Sequence, residues 1–270
     1  MSFQAVSLKD HIATEIQADV PTLLKPEVAA EVRDLLVQRG VLVFRQLNIS
    51  DEDQVKLAQL LGSLRDEGER GIFKITHDKS ENPSTAYVKG TFRWHMDGTH
   101  DDVPVFASML SGRRLSATGG QTEFANSYAA YESLPQETKD RIGGLKVAHS
   151  VMTSMTRSEV EISPNDLALW RSMPDKVHNL VWTHESGRKS LVIGIHAKQI
   201  VGMEETESDR LLEELLAWAT QPKFVYRHEW TPGDMLIWDN TGVLHRAEPY
   251  PVDSGRLMHR TTLLGEEAFA

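Results

Sequence analysis

The sequence predicts a mainly β protein with flanking helices, built on a jelly-roll or sandwich core. Short strand-like segments follow one another from residue 104 almost to the end of the chain. Turn-forming runs such as Gly119-Gly120 and Pro232-Gly233-Asp234 separate them. Only two helical patterns interrupt this region, and many short strands of this kind are typical of sandwiches and jelly rolls.

The N-terminal part of the chain has a different pattern. Residues 27–38 place apolar side chains at helical spacing and lead into the apolar segment 40–44, which we interpret as a buried strand. A second amphipathic helix is predicted from 51 to 61, with Ser50 as its N-cap. Residues 64–91 are polar and weakly periodic. We interpret them as a long loop, and loops of this length often act as lids.

The remaining elements are predicted from the same patterns. Apolar runs between turn signals predict strands, and a leucine stripe predicts a helix that begins at a capping box formed by Thr206 and Asp209. The predicted strands are 105–110, 121–125, 177–183, 190–195, 224–230, 234–238 and 257–263, and the predicted helices are 127–133, continuing after Pro135, and 206–219.

The composition limits the chemistry that is open to this protein. We expect residues 1–270 to form a single domain, since 270 residues are common for one β-rich domain with insertions. The chain has no cysteine, which excludes disulfides, thiolate zinc sites, iron–sulfur clusters and cysteine nucleophiles. The net charge of −10 argues against nucleic-acid binding. Because no secretory signal or membrane-spanning run is visible, we expect a cytoplasmic protein.

The first candidate for a metal site is the pair His95 and Asp97. On an extended segment, residues i and i+2 share a face, so both side chains could reach one ion. Such a pair is weak evidence by itself, because a surface histidine beside an aspartate occurs by chance in many chains.

His245 is the candidate third ligand, placed after a predicted strand and turn 148 residues beyond Asp97. Two histidines and one carboxylate leave positions open on an octahedral ion, an arrangement diagnostic of iron(II) oxygenases. The sequence does not show that the three side chains meet.

A local alternative uses His100 with Asp101 and Asp102. It is disfavoured because dense sites of this kind usually lie on a helix, and Gly98 argues against one there. Of the other histidines, His196 and His259 are the ones to examine.

Arg256 and Arg260 form a candidate anion site. On a strand the two side chains share a face. Two guanidiniums buried side by side require anionic partners, and a carboxylate can bind a guanidinium through two hydrogen bonds. Pairing with the chain's own acidic side chains explains them equally well. The sequence contains neither a Gly-rich phosphate loop nor a Gly-x-Ser-x-Gly nucleophile elbow.

Taken in order, these motifs resemble the TauD/TfdA family of iron(II)/2-oxoglutarate dioxygenases, which act on taurine or chlorophenoxyacetates. The resemblance covers nearly the whole chain and is densest after residue 184. From there on it is closer to the herbicide-degrading members than to the taurine enzymes. The segments that carry it are 40–45, 94–97, 119–124, 186–189, 224–228, 238–240 and 245–246.

The resemblance implies a double-stranded β-helix, a distorted jelly roll of the cupin kind. It implies that His95, Asp97 and His245 bind Fe(II). It also implies that Thr122 and Arg256 hold the co-substrate 2-oxoglutarate.

Arg260 matches the residue that contacts the sulfonate in taurine enzymes, which implies a small anionic substrate such as an aryloxyalkanoate, a sulfonate or another carboxylate. Thr91 takes the place of a substrate-binding asparagine, which argues against taurine itself. The segment 71–75 is assigned to a lid or pocket wall within the probable lid or insert 64–91.

The implied reaction consumes O2, hydroxylates the substrate and releases succinate and CO2. We expect neither nucleic acid nor a membrane as a partner, and assembly into a homo-oligomer is left open. Two alternatives remain at this point: a non-enzymatic metal-binding or sensor protein, and a zinc hydrolase that uses the same ligands. Oxygen uptake coupled to succinate release would separate the dioxygenase from both.

Overall fold

The computed structural model describes residues 2–83, 85–158 and 163–269, which form a mainly β protein with helices packed against its sheets. A seven-stranded sheet has the order β1-β2-β3-β13-β5-β15-β4, and a three-stranded sheet has the order β12-β6-β14. A second three-stranded sheet has the order β11-β7-β8, and a two-stranded sheet has the order β10-β9. In the described part of the chain the strands are β1 Gln4–Ser7, β2 Thr14–Gln17, β3 Val41–Phe44, β4 Phe73–Ile75, β5 Ala107–Arg114, β6 Thr122–Asn126, β7 Lys146–His149, β8 Lys176–Asn179, β9 Val181–Thr183, β10 Lys189–Leu191, β11 Ala197–Ile200, β12 Val225–His228, β13 Met235–Asp239, β14 Val243–Ala247 and β15 Leu257–Leu263.

The helices lie mainly between the strands of the smaller sheets and at the N-terminal end. Among the residues that the structure describes, no helix is both long and apolar enough to cross a lipid bilayer. The α-helices are α1 Val20–Leu23, α2 Pro26–Arg39, α3 Asp51–Leu61, α4 Ser127–Glu132, α5 Gln136–Ile142, α6 Val151–Arg157, α7 Pro164–Ser172 and α8 Glu205–Ala219, and a 3-10 helix covers Ala86–Phe92.

The seven-stranded sheet and the three-stranded sheet β12-β6-β14 share a hydrophobic cluster. Leu110, Trp238 and Met258 come from the larger sheet, while Phe124 and Val243 come from the smaller one. All five are buried. Burial of this much apolar and aromatic surface is the main favourable contribution to joining the two sheets.

Two further clusters cover the outside of this unit. One packs helices α2 and α3 against the seven-stranded sheet, with Leu36, Leu57 and Phe44 among its members. The other joins α4 and α8 to the smaller sheets around the fully buried Trp182. Helices therefore cover the sheet faces that the shared cluster leaves open, as amphipathic elements must.

Several predicted elements are confirmed. The helix at 27–38 is α2, the buried strand at 40–44 is β3, and the helix at 51–61 is α3. Ser50 caps α3, since its hydroxyl accepts a hydrogen bond from the Asp53 amide at 3.0 Å. The strand at 257–263 is β15, with the predicted bounds.

The interpretation of residues 64–91 as a loop without regular structure was wrong. Strand β4 and the 3-10 helix both lie in this segment. Strand β4 pairs with β15 at the edge of the large sheet, through residues 73–75 against 258–260. All three β4 side chains are half-buried, so they lack the alternation of burial that makes a strand recognisable in a sequence.

Other bounds differ because tertiary pairing decides where a strand ends. The predicted strand 177–183 is two strands, β8 and β9, in different sheets. The predicted strand 190–195 ends at Leu191. The cap of α8 is the Glu204 side chain, which accepts from the Glu207 amide, and not the predicted Thr206 and Asp209 pair. Strands β1, β2, β7, β11 and β14 and helices α1, α6 and α7 were not predicted.

Candidate active site

The structure brings His95 and His245 together, although 150 residues separate them in sequence. Their backbones form an isolated antiparallel bridge, with amide-to-carbonyl distances of 3.0 Å and 2.9 Å. The two imidazole rings have centroids 4.1 Å apart. His245 lies on β14, an edge strand of the sheet β12-β6-β14. The segment around His95 therefore adds one residue pair to this edge.

Asp97 completes a cluster with these two histidines. One ligand atom of each of the three side chains lies within 4.8 Å of the others. The Asp97 carboxylate oxygens are 3.7 Å from His95 Nε2 and 3.7 Å from His245 Nε2. These distances are too long for hydrogen bonds. The three potential ligand atoms therefore surround a shared gap and do not bond to one another.

The protonation states of His245 and Asp97 suit metal ligation, which requires a neutral imidazole and an ionised carboxylate. Burial and the nearby His95 lower the pKa of His245 to about 3. Burial raises the pKa of the Asp97 carboxyl, but attraction to His245 and Arg260 outweighs it and keeps this pKa below its ordinary value. His95 donates through Nδ1 to the Arg93 carbonyl at 2.7 Å, which leaves the Nε2 lone pair free for a metal.

Gly194 fixes the backbone that carries His95. It has a φ of 120°, and a Cβ atom at this position would lie 2.8 Å from the Trp94 carbonyl oxygen. The next residue, Ile195, donates its amide to the same carbonyl at 2.9 Å. The 94–95 segment is therefore held between β14 on one side and residues 194–195 on the other.

The alternative metal site does not form. His100 lies beside Asp101, with 3.9 Å between Nε2 and a carboxylate oxygen. In the ranges that the structure describes, the cluster of His95, Asp97 and His245 is the one grouping of three potential ligands. The local combination of His100 with Asp101 and Asp102 is thus not supported.

The two histidines singled out for examination have different surroundings. The pKa of His196 is lowered to about 3 by burial and by the nearby His95, so its ring is neutral beside the cluster. His259 donates to the Asp51 carboxylate at 2.8 Å. This places His259 against α3, away from the cluster.

Arg256 is a buried cation with uncharged partners. Its side chain is 4% exposed. Nη2 donates to the Gly120 carbonyl at 3.0 Å, and the guanidinium lies 4.6 Å from the centroid of the Tyr250 ring. Among the described residues no carboxylate pairs with it. A buried guanidinium without an anion is costly, so its environment fits an anionic ligand.

Thr122 lies beside Arg256 in the same cavity. This cavity lies between the two sheets that share the hydrophobic cluster, and its wall includes the 3-10 helix. The Thr122 hydroxyl oxygen accepts from Trp230 Nε1 at 2.9 Å. The residues that line the cavity include Ile75, Thr91, His95, Leu110, Thr122, His245, Arg256, Met258 and Arg260.

Arg260 lies in this cavity as well, but it already has an acidic partner. Its Nη2 is 3.2 Å from the Glu67 carboxylate, and its Nη1 is 3.9 Å from the Asp97 carboxylate. Its guanidinium lies 5.0 Å from the centroid of the Phe73 ring. The sequence left two explanations open, and each arginine fits a different one. Arg260 is paired with an acidic side chain, whereas no acidic side chain in the described ranges pairs with Arg256.

Comparison with known proteins assigns the chain to a family. The sequence model described as "Taurine catabolism dioxygenase TauD, TfdA family" matches residues 4–262. The chain belongs to the TauD/TfdA family. The match spans nearly all of the chain, as the sequence resemblance predicted.

Among curated relatives of this TauD/TfdA chain is the alpha-ketoglutarate-dependent 2,4-dichlorophenoxyacetate dioxygenase of Burkholderia sp. (strain RASC), which is 36% identical over 263 residues and covers 87% of the chain and 86% of the relative. The (S)-phenoxypropionate/alpha-ketoglutarate-dioxygenase of Sphingobium herbicidovorans is 34% identical and covers 86% of the chain and 84% of the relative. The crystal structure of AAD-2 in complex with Mn(II) and N-oxalylglycine has a TM-score of 0.86 at 32% identity and covers 100% of both chains.

These findings establish the class of the protein. The TauD/TfdA chain is an alpha-ketoglutarate-dependent dioxygenase, an oxidoreductase of a family whose enzymes use Fe(II), 2-oxoglutarate and O2. The His95, Asp97 and His245 cluster is a donor set of nitrogen and oxygen atoms that fits this iron chemistry.

Sequence reasoning missed Gly194, Trp230, Tyr250 and Glu67. Gly194, Trp230 and Glu67 act through partners that are distant in the sequence, and the ring of Tyr250 meets Arg256 only because the chain turns between them. The Gly119-Gly120 pair was identified as a turn and as part of a family motif. Its contact with Arg256 was not foreseen: a Cβ atom on Gly120 would lie 2.9 Å from Arg256 Nε.

Proposed function

We propose that this chain hydroxylates a small anionic organic substrate at an iron centre held by His95, Asp97 and His245. The observation that carries the proposal is the convergence of these three side chains within 4.8 Å, with His95 and His245 at the wall of a cavity that Arg256 and Arg260 also line. Bound Fe(II), with 2-oxoglutarate and O2, would supply the oxidising chemistry and release succinate and CO2.

The residues of this chain bind and orient the reactants. His95 and His245 offer nitrogen ligands, and Asp97 offers one negative charge that offsets part of the charge of the metal. The tautomer of His95 is set by the Arg93 carbonyl, so that Nε2 faces the gap. Leu110, Trp238 and Met258 add apolar surface to the cavity wall beside the cluster, which strengthens the charge interactions there.

Arg256 and Thr122 are proposed to hold the carboxylate of 2-oxoglutarate that lies away from the metal. Arg256 contributes a buried positive charge whose described partners are uncharged, and Thr122 contributes a hydroxyl. Arg260 is proposed to face the anionic group of the substrate. The two curated relatives described above support an aryloxyalkanoate as the substrate class, since both are named for phenoxyalkanoates.

We also propose that the two sheets form the double-stranded β-helix of the family, as one domain over residues 1–270. The core shared by the two sheets and the structural similarity to AAD-2 over the whole chain support this arrangement. The segment 64–91 is proposed to cover the cavity, because Ile75 and Thr91 line it. We further propose that the protein acts in the cytoplasm, without a nucleic acid or a membrane as a partner.

Substituting Asp97 with alanine tests the metal centre. The expected outcome is loss of substrate-dependent succinate release, because two neutral imidazoles bind Fe(II) weakly without the carboxylate. The measurement is succinate formation with Fe(II), 2-oxoglutarate and a panel of aryloxyalkanoates, sulfonates and alkyl sulfates. Wild-type turnover in the Asp97→Ala protein would refute the ligand assignment. Activity with zinc under anaerobic conditions would instead indicate a hydrolase.

Substituting Arg260 with alanine tests the substrate assignment. We expect the KM for the anionic substrate to rise at least 10-fold, as is usual when a charge-assisted hydrogen bond to a ligand is lost. The KM for 2-oxoglutarate should change little. An unchanged KM for the substrate would remove Arg260 from the substrate site.

A further inference from the structure

Arg256 and Arg260 line one cavity but differ in their partners. Arg256 contacts a carbonyl and an aromatic ring, whereas Arg260 donates to the Glu67 carboxylate at 3.2 Å. The other Glu67 oxygen accepts from the Thr262 hydroxyl. The side chains of Arg260 and Glu67 are only 20% and 16% exposed. A carboxylate of the protein thus lies at the guanidinium that the substrate's anion would approach.

The backbone holds Glu67 in this position from both sides. Before it, the Arg65 amide donates to the Thr262 carbonyl at 2.9 Å, and Leu64 forms a bridge with Leu263. After it, β4 pairs with β15 through residues 258–260. The segment from 64 to 75 therefore runs along β15, and the Glu67 carboxylate belongs to an ordered part of the site.

We propose that Glu67 is a specificity-determining residue, an internal counter-ion that competes with the anionic group of the substrate for Arg260. The inference rests on the proposed function, in which Arg260 faces the substrate. An anion reaches Arg260 either by displacing Glu67 or by sharing the guanidinium with it, and both reduce affinity for the anion through like-charge repulsion. A neutral molecule of the same shape does not pay this cost.

This arrangement lowers the selectivity of the pocket for charge. A guanidinium without a counter-ion would bind an acid far more tightly than the corresponding amide. With Glu67 beside Arg260 the pair has no net charge, so the preference for the acid is smaller. Discrimination between substrates then depends more on the shape of the cavity and less on charge.

The experiment compares the wild type with Glu67→Gln. The amide keeps the shape of the side chain, can still accept from Arg260 and can donate to the Thr262 hydroxyl, but it carries no charge. The probes are 2,4-dichlorophenoxyacetate and its neutral amide. Their binding is measured by calorimetric titration of protein loaded with Mn(II) and N-oxalylglycine, a 2-oxoglutarate analogue that holds the site without turnover.

We expect Glu67→Gln to bind the acid roughly 5- to 10-fold more tightly than the wild type, a size set by one charge removed at a partly buried site. Binding of the amide should not change. The gain for the acid should shrink as the salt concentration rises, because ions screen the interaction. In steady-state turnover the KM for the acid should fall while kcat stays close to that of the wild type.

Two variants serve as controls. Asp66→Asn removes the same charge from the neighbouring exposed side chain, and it should leave the affinity for the acid within twofold of the wild type. Glu67→Asp keeps the charge and should retain the weak wild-type preference for the acid over the amide. If Glu67→Gln does not fold, Glu67→Ala replaces it, with the same expected direction.

The proposal is overturned if the charge-removing variant binds the acid no more tightly than the wild type, or if the acid and the amide gain equally. It is overturned too if neither protein binds the acid. Failure of the proposed function is detected separately, in wild-type protein without any substrate. If the proposed function is wrong, adding Fe(II) and 2-oxoglutarate to this protein under anaerobic conditions would produce no visible charge-transfer band.

Discussion

At the scale of single residues, Thr122 shows how a neighbouring side chain can orient a hydroxyl. The indole N–H of Trp230 can only donate, so the hydrogen bond at 2.9 Å makes the Thr122 oxygen its acceptor. The hydroxyl proton of Thr122 is then available for another acceptor. In the proposed site this acceptor is the carboxylate of 2-oxoglutarate that Arg256 also binds.

Replacing Trp230 with phenylalanine should therefore raise the KM for 2-oxoglutarate by about 3- to 10-fold, the range expected for one lost or misdirected hydrogen bond. The value of kcat should change less, since the metal ligands are not affected. Steady-state kinetics with varied 2-oxoglutarate is the measurement.

Trp218→Phe is the matched control, because its indole also donates one hydrogen bond, to the Ala130 carbonyl at 2.9 Å. Its KM for 2-oxoglutarate should equal that of the wild type. If Trp230→Phe behaves like this control, the orienting role of Trp230 is wrong.

At the scale of structural elements, the site depends on how a segment outside the regular sheets is held. The 94–97 segment joins the edge of the three-stranded sheet through one bridge between His95 and His245. Its other side rests on Gly194, where the absence of a side chain permits close contact with the Trp94 carbonyl. A β-carbon there would push His95 away from its partner ligand.

Gly194→Ala should weaken metal binding by at least 10-fold and lower the melting temperature, because it combines an unfavourable φ with a collision against backbone. Metal affinity is measured by titration with Co(II) and its visible absorption. Gly202→Ala provides the control.

Gly202 also has a positive φ, of 78°, but a Cβ atom there would meet nothing within 4 Å. Its alanine variant should lose some stability and keep its metal affinity. Equal metal affinities in the two variants would show that Gly194 does not position His95.

At the scale of the whole molecule, buried histidines make stability depend on pH. His149 is 1% exposed, and burial lowers its pKa to about 3. Burial also lowers the pKa of His184 to about 4. The unfolded chain binds protons on these rings below about pH 6.5, while the folded chain does not until pH 3–4, so acidification favours unfolding. Burial has the opposite effect on Asp239, whose pKa it raises to about 6. Between pH 4 and 6 the folded chain therefore binds a proton at Asp239 that the unfolded chain does not, which offsets part of the destabilisation by acid.

The free energy of unfolding of the metal-free protein should thus fall between pH 7 and pH 4.5. His149→Phe removes one of the titrating groups and should reduce that fall by on the order of 2 kcal/mol. Urea unfolding across this pH range is the measurement. A slope in His149→Phe equal to that of the wild type would contradict the argument.

The sequence by itself determined the elements whose signals are local. The apolar spacing of 27–38 and the cap at Ser50 require only neighbours in the chain, and the structure has helices there. The motifs around residues 95, 122 and 245 also identified the family, which the comparisons confirmed. Chemistry that depends on residue type, such as the choice of nitrogen and oxygen ligands in a chain without cysteine, can likewise be read without coordinates.

Only the tertiary structure decided which distant residues meet. Strand β4 could not be recognised, because its half-buried residues become a strand through pairing with β15. The division of the two arginines between an acidic partner and uncharged ones depends on Glu67 and Gly120, which lie far from them in the chain, and on how the chain folds Tyr250 back onto Arg256. Such contacts form when the sheets bury their shared core, and that burial energy is a property of the folded chain and not of any local segment.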